Sequence, residues 1–480
     1  MATPTEPDAR PKDARSSGAQ AKQARTKGIL ALSLPLIFSF WFRALTPWID
    51  ATYASTDDAL GDASIAAIGL AAPFEFLMIA FWVGASNALT SLLSTAMGRD
   101  EDARVEQLLR WTRRLVYVLG GLFAWIAALV WFFAEDVIGD PEVARQFKIY
   151  GTTLIGGYSF TIFWSVIPDS VVKAHHDMKT TMWSGIASTV LNVVLSSYFV
   201  FGAGLGVFGI ALGSVLGRLG GLAYGLYRAA KLERDRRAAL TVTVPGTFDR
   251  PSYEMLRLAV PASIAFLLMA LEGFAFNGIL ERQPDSERLL ASWTLLDRTV
   301  RFLLMPVIAI GVAMLPLLAR LKGHDAQDRI RRELRNGHLF GFGFAVLVAT
   351  PLALFVGPWA CTKLLDSPSA AQLTEGGMLI VPLVILTAIP LFILRPGFEG
   401  LQKPAPGLRL SILRSAILAV PLGLAGFLAG PHLGLSDLQG LLVGAAVANA
   451  LAGALGMRLM RETLATLDAQ PAPASEGPPS

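Results

Sequence analysis

The sequence predicts an all-α fold, a polytopic membrane protein of twelve transmembrane helices in two pseudo-symmetric six-helix bundles around a central cleft. Three observations predict it. The 480 residues are 53% hydrophobic and only 16% charged, with a mean hydropathy of +0.51, far more apolar than a soluble chain of this length. Apolar runs of about 20 residues, the length that crosses roughly 30 Å of hydrocarbon, recur along nearly the whole chain. The second half repeats features of the first at a near-constant spacing.

The runs lie at Gly28 to Ile49, Ser64 to Thr95, Thr112 to Ala134, Ile149 to Val171, Thr181 to Ala203 and Gly206 to Tyr227. Six more follow at Leu256 to Leu280, Leu289 to Ala319, Gly337 to Ala360, Gly376 to Leu394, Arg409 to Gly430 and Leu438 to Met457. With the N-terminus inside, 31 of the 41 Lys and Arg fall in the cytoplasmic segments and five in the opposite loops. The positive-inside rule therefore supports an even number of crossings with both termini cytoplasmic.

This divides the chain into a disordered tail (1–27), an N-terminal six-helix lobe (28–230), a cytoplasmic linker (231–255), a C-terminal six-helix lobe (256–462) and a second disordered tail (463–480). Residues 1–27 lack the apolar stretch and cleavage site of a signal peptide. The 45 glycines and 28 prolines are compatible with helices, because membrane bundles use them for close approach and bending. Cys361 is the single cysteine, which excludes an internal disulfide and a multi-cysteine metal site.

An offset of about 226 residues aligns Pro35 in LALSLPLIFSF with Pro261 in LRLAVPASIAF. An offset of 225 aligns GRDEDAR, starting at Gly98, with GHDAQDR, starting at Gly323. Six spans per half put both repeats in the same orientation, related by an axis along the membrane normal. A cleft between two such bundles can expose a site to each side in turn.

Several segments carry a family resemblance: LSLPLIFSFWFRALTPWIDATYAS followed by LGDASIAAIGLAAP, then SLLSTAMGRDEDAR, VLNVVLSSYFVFG with GVFGIALGSVLGR, and LMALEGFAFN in the second half. In order and spacing the chain resembles the multidrug and toxic compound extrusion (MATE) family, a branch of a superfamily that includes lipid-linked oligosaccharide flippases. The resemblance implies a twelve-helix antiporter that expels organic cations or other amphipathic compounds in exchange for H⁺ or Na⁺. It implies a monomer in the plasma membrane, the inner membrane if the source is bacterial, with a small-molecule partner, membrane lipid around it, and no cofactor, nucleic acid or catalytic residue.

The same resemblance places ion coupling at Asp50, at the end of the first helix, with Asn192, Ser196 and Ser214 completing an oxygen-lined cup. Read from the residues alone, Asp50 is either that carboxylate or an acid in an exposed outer loop. Ser196 stands where many members have a second aspartate. One carboxylate fewer favours H⁺ over Na⁺, since a proton needs one base and Na⁺ several ligands. Pro47 would bend the helix beside Asp50, and Arg43, seven residues before it, shares its helical face.

In the second half, Glu272 occupies the position of a family glutamate associated with cation or substrate binding, without the tenth-helix aspartate that accompanies it in some members. Phe266, Met269, Phe276 and Asn277 offer adaptable surface beside it, or ordinary helix packing. Ionisable groups inside spans are costly and find partners. Arg43, Glu75, Asp297, Arg298 and Arg301 are therefore candidates for charge pairing, either across the two lobes or each within its own bundle.

No Walker-type phosphate loop occurs, and the five histidines fall in predicted loops, which argues against a nucleotide-driven pump and an intramembrane enzyme. Two rivals remain. A lipid-linked oligosaccharide flippase would use Arg43, Arg218, Arg298 and Arg301 for a pyrophosphate, and a non-transporting receptor or scaffold would lack ion coupling.

Overall fold

A computed structural model describes residues 27–44, 61–239, 247–324, 326–364 and 368–468. Asp50 and Pro47 lie outside the described residues.

The described residues form twelve helical rods. In the first half they are α1 (Ile29–Ala44), α2 (Gly61–Gly98), α3 (Asp102–Val137), α4 (Pro141–Ala174), α5 (Met178–Ser197, ending in a π turn Tyr198–Gly202) and α6 (Gly206–Ala239). In the second half α7 (Pro251–Glu281) and α8 (Ser286–Gly323) are continuous. The ninth rod, α9, joins Gln327–Phe344 to Gly357–Leu364 through π turns at Ala345–Ala349 and Leu352–Val356, on either side of Pro351. The rod α10 breaks between Pro368–Met378 and Val381–Gly400, after the Gly376–Gly377 pair and before Pro382. In α11, Pro404–Ser411 and Val420–Ala429 flank a π stretch, Ile412–Ala419, and α12 is Asp437–Asp468.

Ten of the rods are long and apolar enough to cross a membrane, by length and composition. The others are α1, described over 16 residues, and α4, whose polar residues lower its hydropathy.

The packing repeats between halves. Helix α2 packs on α4 as α8 packs on α10, α5 on α6 as α11 on α12, and α4 on α6 as α10 on α12. The first helix of each half crosses over: α1 packs on α8, and α7 packs on α2. Consequently Ile29, Leu32, Leu36 and Ile37 belong to the hydrophobic core of the second half, while Met255, Leu258 and Ala259 belong to that of the first. Glycines make the tightest seams. A Cβ on Gly213 or Gly217 of α6 would stand 2.7 Å from a backbone nitrogen of α5, at Ser196 and Asn192 respectively.

The two halves meet at the end of the bundle that carries the turns between α2 and α3, α4 and α5, α8 and α9, and α10 and α11, here the basic end. Every described residue of α2 from Gly84 to Gly98 except Asn87 is buried, whereas most of 68–83 keeps accessible surface. The bundle is therefore closed at the basic end.

Candidate functional site

In the first half, Asn192 of α5 and Ser214 of α6 meet: the Asn192 amide donates to Ser214 Oγ at 2.8 Å. Ser196, one turn further along α5, is fully buried against Gly213. Asn192 Oδ1 and Ser196 Oγ are buried with no hydrogen-bond partner among the described residues. Buried polar atoms are nearly always satisfied, so two such oxygens on one face of α5 form a place where a proton donor or cation would be welcome. Asp50, the remaining member of the expected cup, is not among the described residues.

In the second half, Glu272 of α7 forms an ion pair with Arg414 of α11, both largely buried. Arg414 Nε also donates to Asn449 Oδ1 on α12 at 2.9 Å, and Asn449 Nδ2 reaches Val384 O on α10 at 3.4 Å. Arg414 sits on the π stretch Ile412–Ala419, where the widened turn changes the helix register at the charge. The Glu272 carboxylate is thus occupied by a side chain of the protein. Arg414 is legible in the sequence as a charge inside a span, though its partner is not, and Asn449 does not stand out because it is a single polar residue in an apolar run.

Beside this network, Asp297 accepts from Arg301 Nε at 2.7 Å, four residues along α8, so that pair closes within its own helix. Arg301 also reaches over Gly273, where a Cβ would stand 3.3 Å from its Nη2. Arg298 is exposed on the same helix. Phe276 is 3% exposed and packs edge-on against Trp293, with ring centroids 5.4 Å apart, as part of the second core. Phe266 is half-buried, Asn277 is exposed, and Met269 Sδ accepts from Arg395 at 3.8 Å.

Hydropathy alone leaves Arg395 and Glu399 in a loop, but α10 continues to Gly400 and buries both. Arg395 Nε lies 3.4 Å from Glu399 Oε1, four residues apart. Equivalent positions in α4, 226 residues earlier, hold Asp169 and Lys173, paired at 2.6 Å with the signs exchanged. Consecutive residues of α2 serve both pairs: Ser86 donates to Asp169 at 2.8 Å, and Asn87 to Glu399 at 2.7 Å. Since Asn87 belongs to the first half and Glu399 to the second, this hydrogen bond ties the halves together. Charges four apart on an extended helix, matched by the repeat, are a signal that could have revealed both pairs.

The repeat reappears in the turns at the basic end. His176 and Gln402, also 226 residues apart, both have φ of +56°. Each reaches the opposite half: His176 Nε2 lies 3.3 Å from Pro316 O on α8, and Gln402 Nε2 donates to Thr95 Oγ1 on α2 at 3.1 Å. Thr95 Oγ1 donates to Ala319 O at 3.1 Å and Ser91 Oγ to Glu399 O at 2.8 Å. His176 is not an exposed loop residue, being 5% accessible, and burial lowers its pKa to about 3, with Arg320, Lys27 and His175 adding to the effect. Nor is His338 in a loop; it lies in α9, its Nδ1 2.7 Å from Leu334 O.

The MatE family model matches twice, over residues 35–198 and 261–424, two segments offset by the 226 residues of the internal repeat. The chain belongs to the MatE family. MatE relatives in bacteria include the probable multidrug resistance protein YoeA of Bacillus subtilis (strain 168), 24% identical over 284 residues, which are 58% of this chain and 61% of that one. Another is the probable multidrug resistance protein NorM of Rhizobium meliloti (strain 1021), 24% identical over 374 residues, 73% of either chain. The match to the first of these relatives thus spans about three fifths of its length.

Among solved structures, the chain is similar to an outward-facing multidrug resistance MATE transporter of the MOP superfamily, with a TM-score of 0.82 at 19% identity over 92% of this chain and 96% of that one. A MATE structure in the straight conformation gives 0.80 at 19% identity, over 93% of this chain and 100% of that one. The twelve-rod, two-half fold is therefore the MatE fold, and this chain is a multi-pass membrane protein of a transporter family, not of an enzyme family.

Proposed function

We propose that this protein is a secondary active transporter that exports amphipathic compounds from the cytoplasm in antiport with H⁺ or Na⁺, by alternating access of the two halves. The observation that carries the reading is the closure of the basic end by repeat-related contacts, Gly98 with Gly323, His176 with Pro316 and Gln402 with Thr95, each joining one half to the other. Contacts of this kind, which join the halves at the basic end, are what a rocking motion must make and break. The basic end is the cytoplasmic one, a reading that the distribution of Lys and Arg supports.

Ion coupling belongs to Asp50 with Asn192, Ser196 and Ser214. The oxygens Asn192 Oδ1 and Ser196 Oγ, without a partner among the described residues, support this assignment. With one acid in the set, H⁺ is the favoured ion. The organic-cation form of the reading draws on Glu272, and with Arg414 on that carboxylate the support passes to amphipathic cargo in general. A lipid-linked oligosaccharide flippase is the second reading, favoured by the arginines within the spans.

The test is uptake by proteoliposomes under an imposed pH or Na⁺ gradient, one ion at a time. The wild type should accumulate an amphipathic dye against its gradient, and Asp50→Asn should uncouple the two fluxes. Unchanged gradient-driven transport by Asp50→Asn removes the coupling assignment. Movement of a lipid-linked oligosaccharide without an ion gradient favours the flippase.

A further inference from the structure

Helix α3 turns one face inward, burying Val105, Leu108, Thr112, Val116 and Leu119 in the first half, and the opposite face points out of the bundle. On that outer face Arg110, Arg113 and Arg114 are exposed and make no hydrogen bond or ion pair among the described residues. Other arginines at the same end, Arg104, Arg228, Arg236 and Arg237, each meet an acid. Glu106, one turn before Arg110 on α3, is itself 3.5 Å from Arg237. Arg113 and Arg114 each stand one turn from Arg110, with Cβ atoms about 5–6 Å away, so the three guanidinium groups surround one patch of surface. The helix from Thr112 to Ala134 measures about 35 Å at 1.5 Å per residue, enough to cross the hydrocarbon, which puts these arginines at the headgroup level of the leaflet at the basic end.

Beyond the charges the same face is apolar and indented. Tyr117, Gly121 and Trp125 follow Arg113 at intervals of four residues; both rings are exposed, and a Cβ on Gly121 would meet nothing within 4 Å. The glycine is therefore a notch between two large aromatic side chains. Helix α4 walls one side of it. Trp164 packs edge-on against Tyr117 with ring centroids 5.2 Å apart, and Phe160, exposed one turn along α4, lies 6.0 Å from Trp164. A Cβ on Gly120 would stand 3.2 Å from Ser159 O, so Phe160 is level with Gly121. Aromatic rings just inside a basic row mark the boundary between headgroups and acyl chains.

We propose that this face of α3 binds one anionic phospholipid from the leaflet at the basic end, its phosphate among Arg110, Arg113 and Arg114 and one acyl chain in the notch at Gly121. Guanidinium forks match phosphate oxygens and bind them by charge-assisted hydrogen bonds. With no acid of the protein on these three arginines, the lipid phosphate supplies the missing counter-charge. The notch seats a chain that a soluble phosphate lacks, and its walls, Tyr117, Trp125 and Phe160, are rigid rings that lose little freedom on contact.

Native mass spectrometry of the full-length protein in detergent, titrated separately with phosphatidylglycerol and phosphatidylcholine of the same chains, tests the site. Phosphatidylglycerol should bind at least about tenfold more tightly, as three basic side chains at a headgroup imply. The triple variant Arg110→Gln/Arg113→Gln/Arg114→Gln should lose this preference, and Gly121→Leu, which fills the notch and keeps the arginines, should weaken phosphatidylglycerol binding several-fold. Arg332→Gln/Arg335→Gln, at exposed arginines of α9 that are likewise without partners among the described residues, should leave the preference in place. Equal binding of the two lipids, an undiminished preference in the triple variant, or an equal loss in the α9 variant overturns the proposal. Competition by glycerol phosphate as strong as by the lipid also overturns it, assigning the arginines to a soluble anion. Should the triple variant fail to fold, Arg110→Gln and Gly121→Leu decide, with unchanged affinity in both counting against the site.

Discussion

Gly98 and Gly323, the repeat-equivalent residues that end α2 and α8, lie against each other at the interface of the two halves. A Cβ on Gly323 would stand 3.3 Å from Gly98 Cα and 2.8 Å from Thr95 O, and one on Gly98 would stand 3.4 Å from Gly323 Cα. Equivalent residues of a two-fold repeat approach each other only near the symmetry axis, so this contact marks the axis at the basic end.

A side chain at either glycine should act as a wedge. Gly323→Val forces backbone against backbone and should cost the closed state about 1–3 kcal/mol, the usual penalty of overpacking. The expected result is a longer distance between spin labels placed at Arg99 and Arg409 in Gly323→Val than in the parent. An unchanged distance distribution would show that the contact does not control closure.

The Asn87–Glu399 hydrogen bond should contribute to the same closure. A hydrogen bond to a charged group contributes about 1.5–3 kcal/mol, so Asn87→Ala should raise the population open at the basic end. Labelling of a cysteine at Ser91, read with a membrane-impermeant maleimide added from that side, should become several-fold faster in a Cys361→Ala background. Equal rates with and without Asn87 would count against the bond as a latch.

Glu272 and Arg414 should behave as a coupled pair. Removing one partner leaves a buried charge uncompensated, at a cost of about 3–5 kcal/mol, whereas removing both leaves none. Arg414→Met should therefore lower the unfolding temperature in detergent more than the double variant Glu272→Gln/Arg414→Met. Additive losses in the double-mutant cycle would mean that the two charges do not interact.

His176 predicts a dependence on pH. Burial lowers its pKa to about 3 from the ordinary 6.5, so the unfolded chain, or an opened interface, binds the proton more readily. Its contribution to stability is complete above pH 6.5 and is lost as pH falls below that value, reaching about 2 kcal/mol at pH 5. His176→Gln places the residue of Gln402 in the same left-handed backbone and should flatten this part of the stability profile between pH 7 and 5. The same slope in His176→Gln would assign the dependence to other groups.

The spans and the repeat were legible in the sequence because both are properties of local composition. A run such as 438–457 reports its preference for lipid residue by residue, and the GRDEDAR and GHDAQDR turns keep their spacing whatever the helices pack against. The pairs Asp169–Lys173 and Arg395–Glu399 were within reach of the same logic, being four residues apart on one helix. They were obscured because the apolar runs end at Val171, between Asp169 and Lys173, and at Leu394, just before Arg395, although both helices run on past them. Neutralisation of Asp297 by Arg301 likewise follows from spacing, since both lie four residues apart within the predicted run Leu289 to Ala319.

By itself the sequence determined a many-span, twice-repeated membrane protein, since hydropathy and repeat spacing survive any arrangement of the helices, and its motifs carried the resemblance to the MATE family. Only the tertiary structure decided that Glu272 meets Arg414, 142 residues away, instead of standing open to a cation. It also decided that His176 and Gln402 cross between the halves and that Gly98 touches Gly323. Partner choice for a charge or a glycine depends on which helices pack together, and that depends on the whole bundle rather than on the residues beside it.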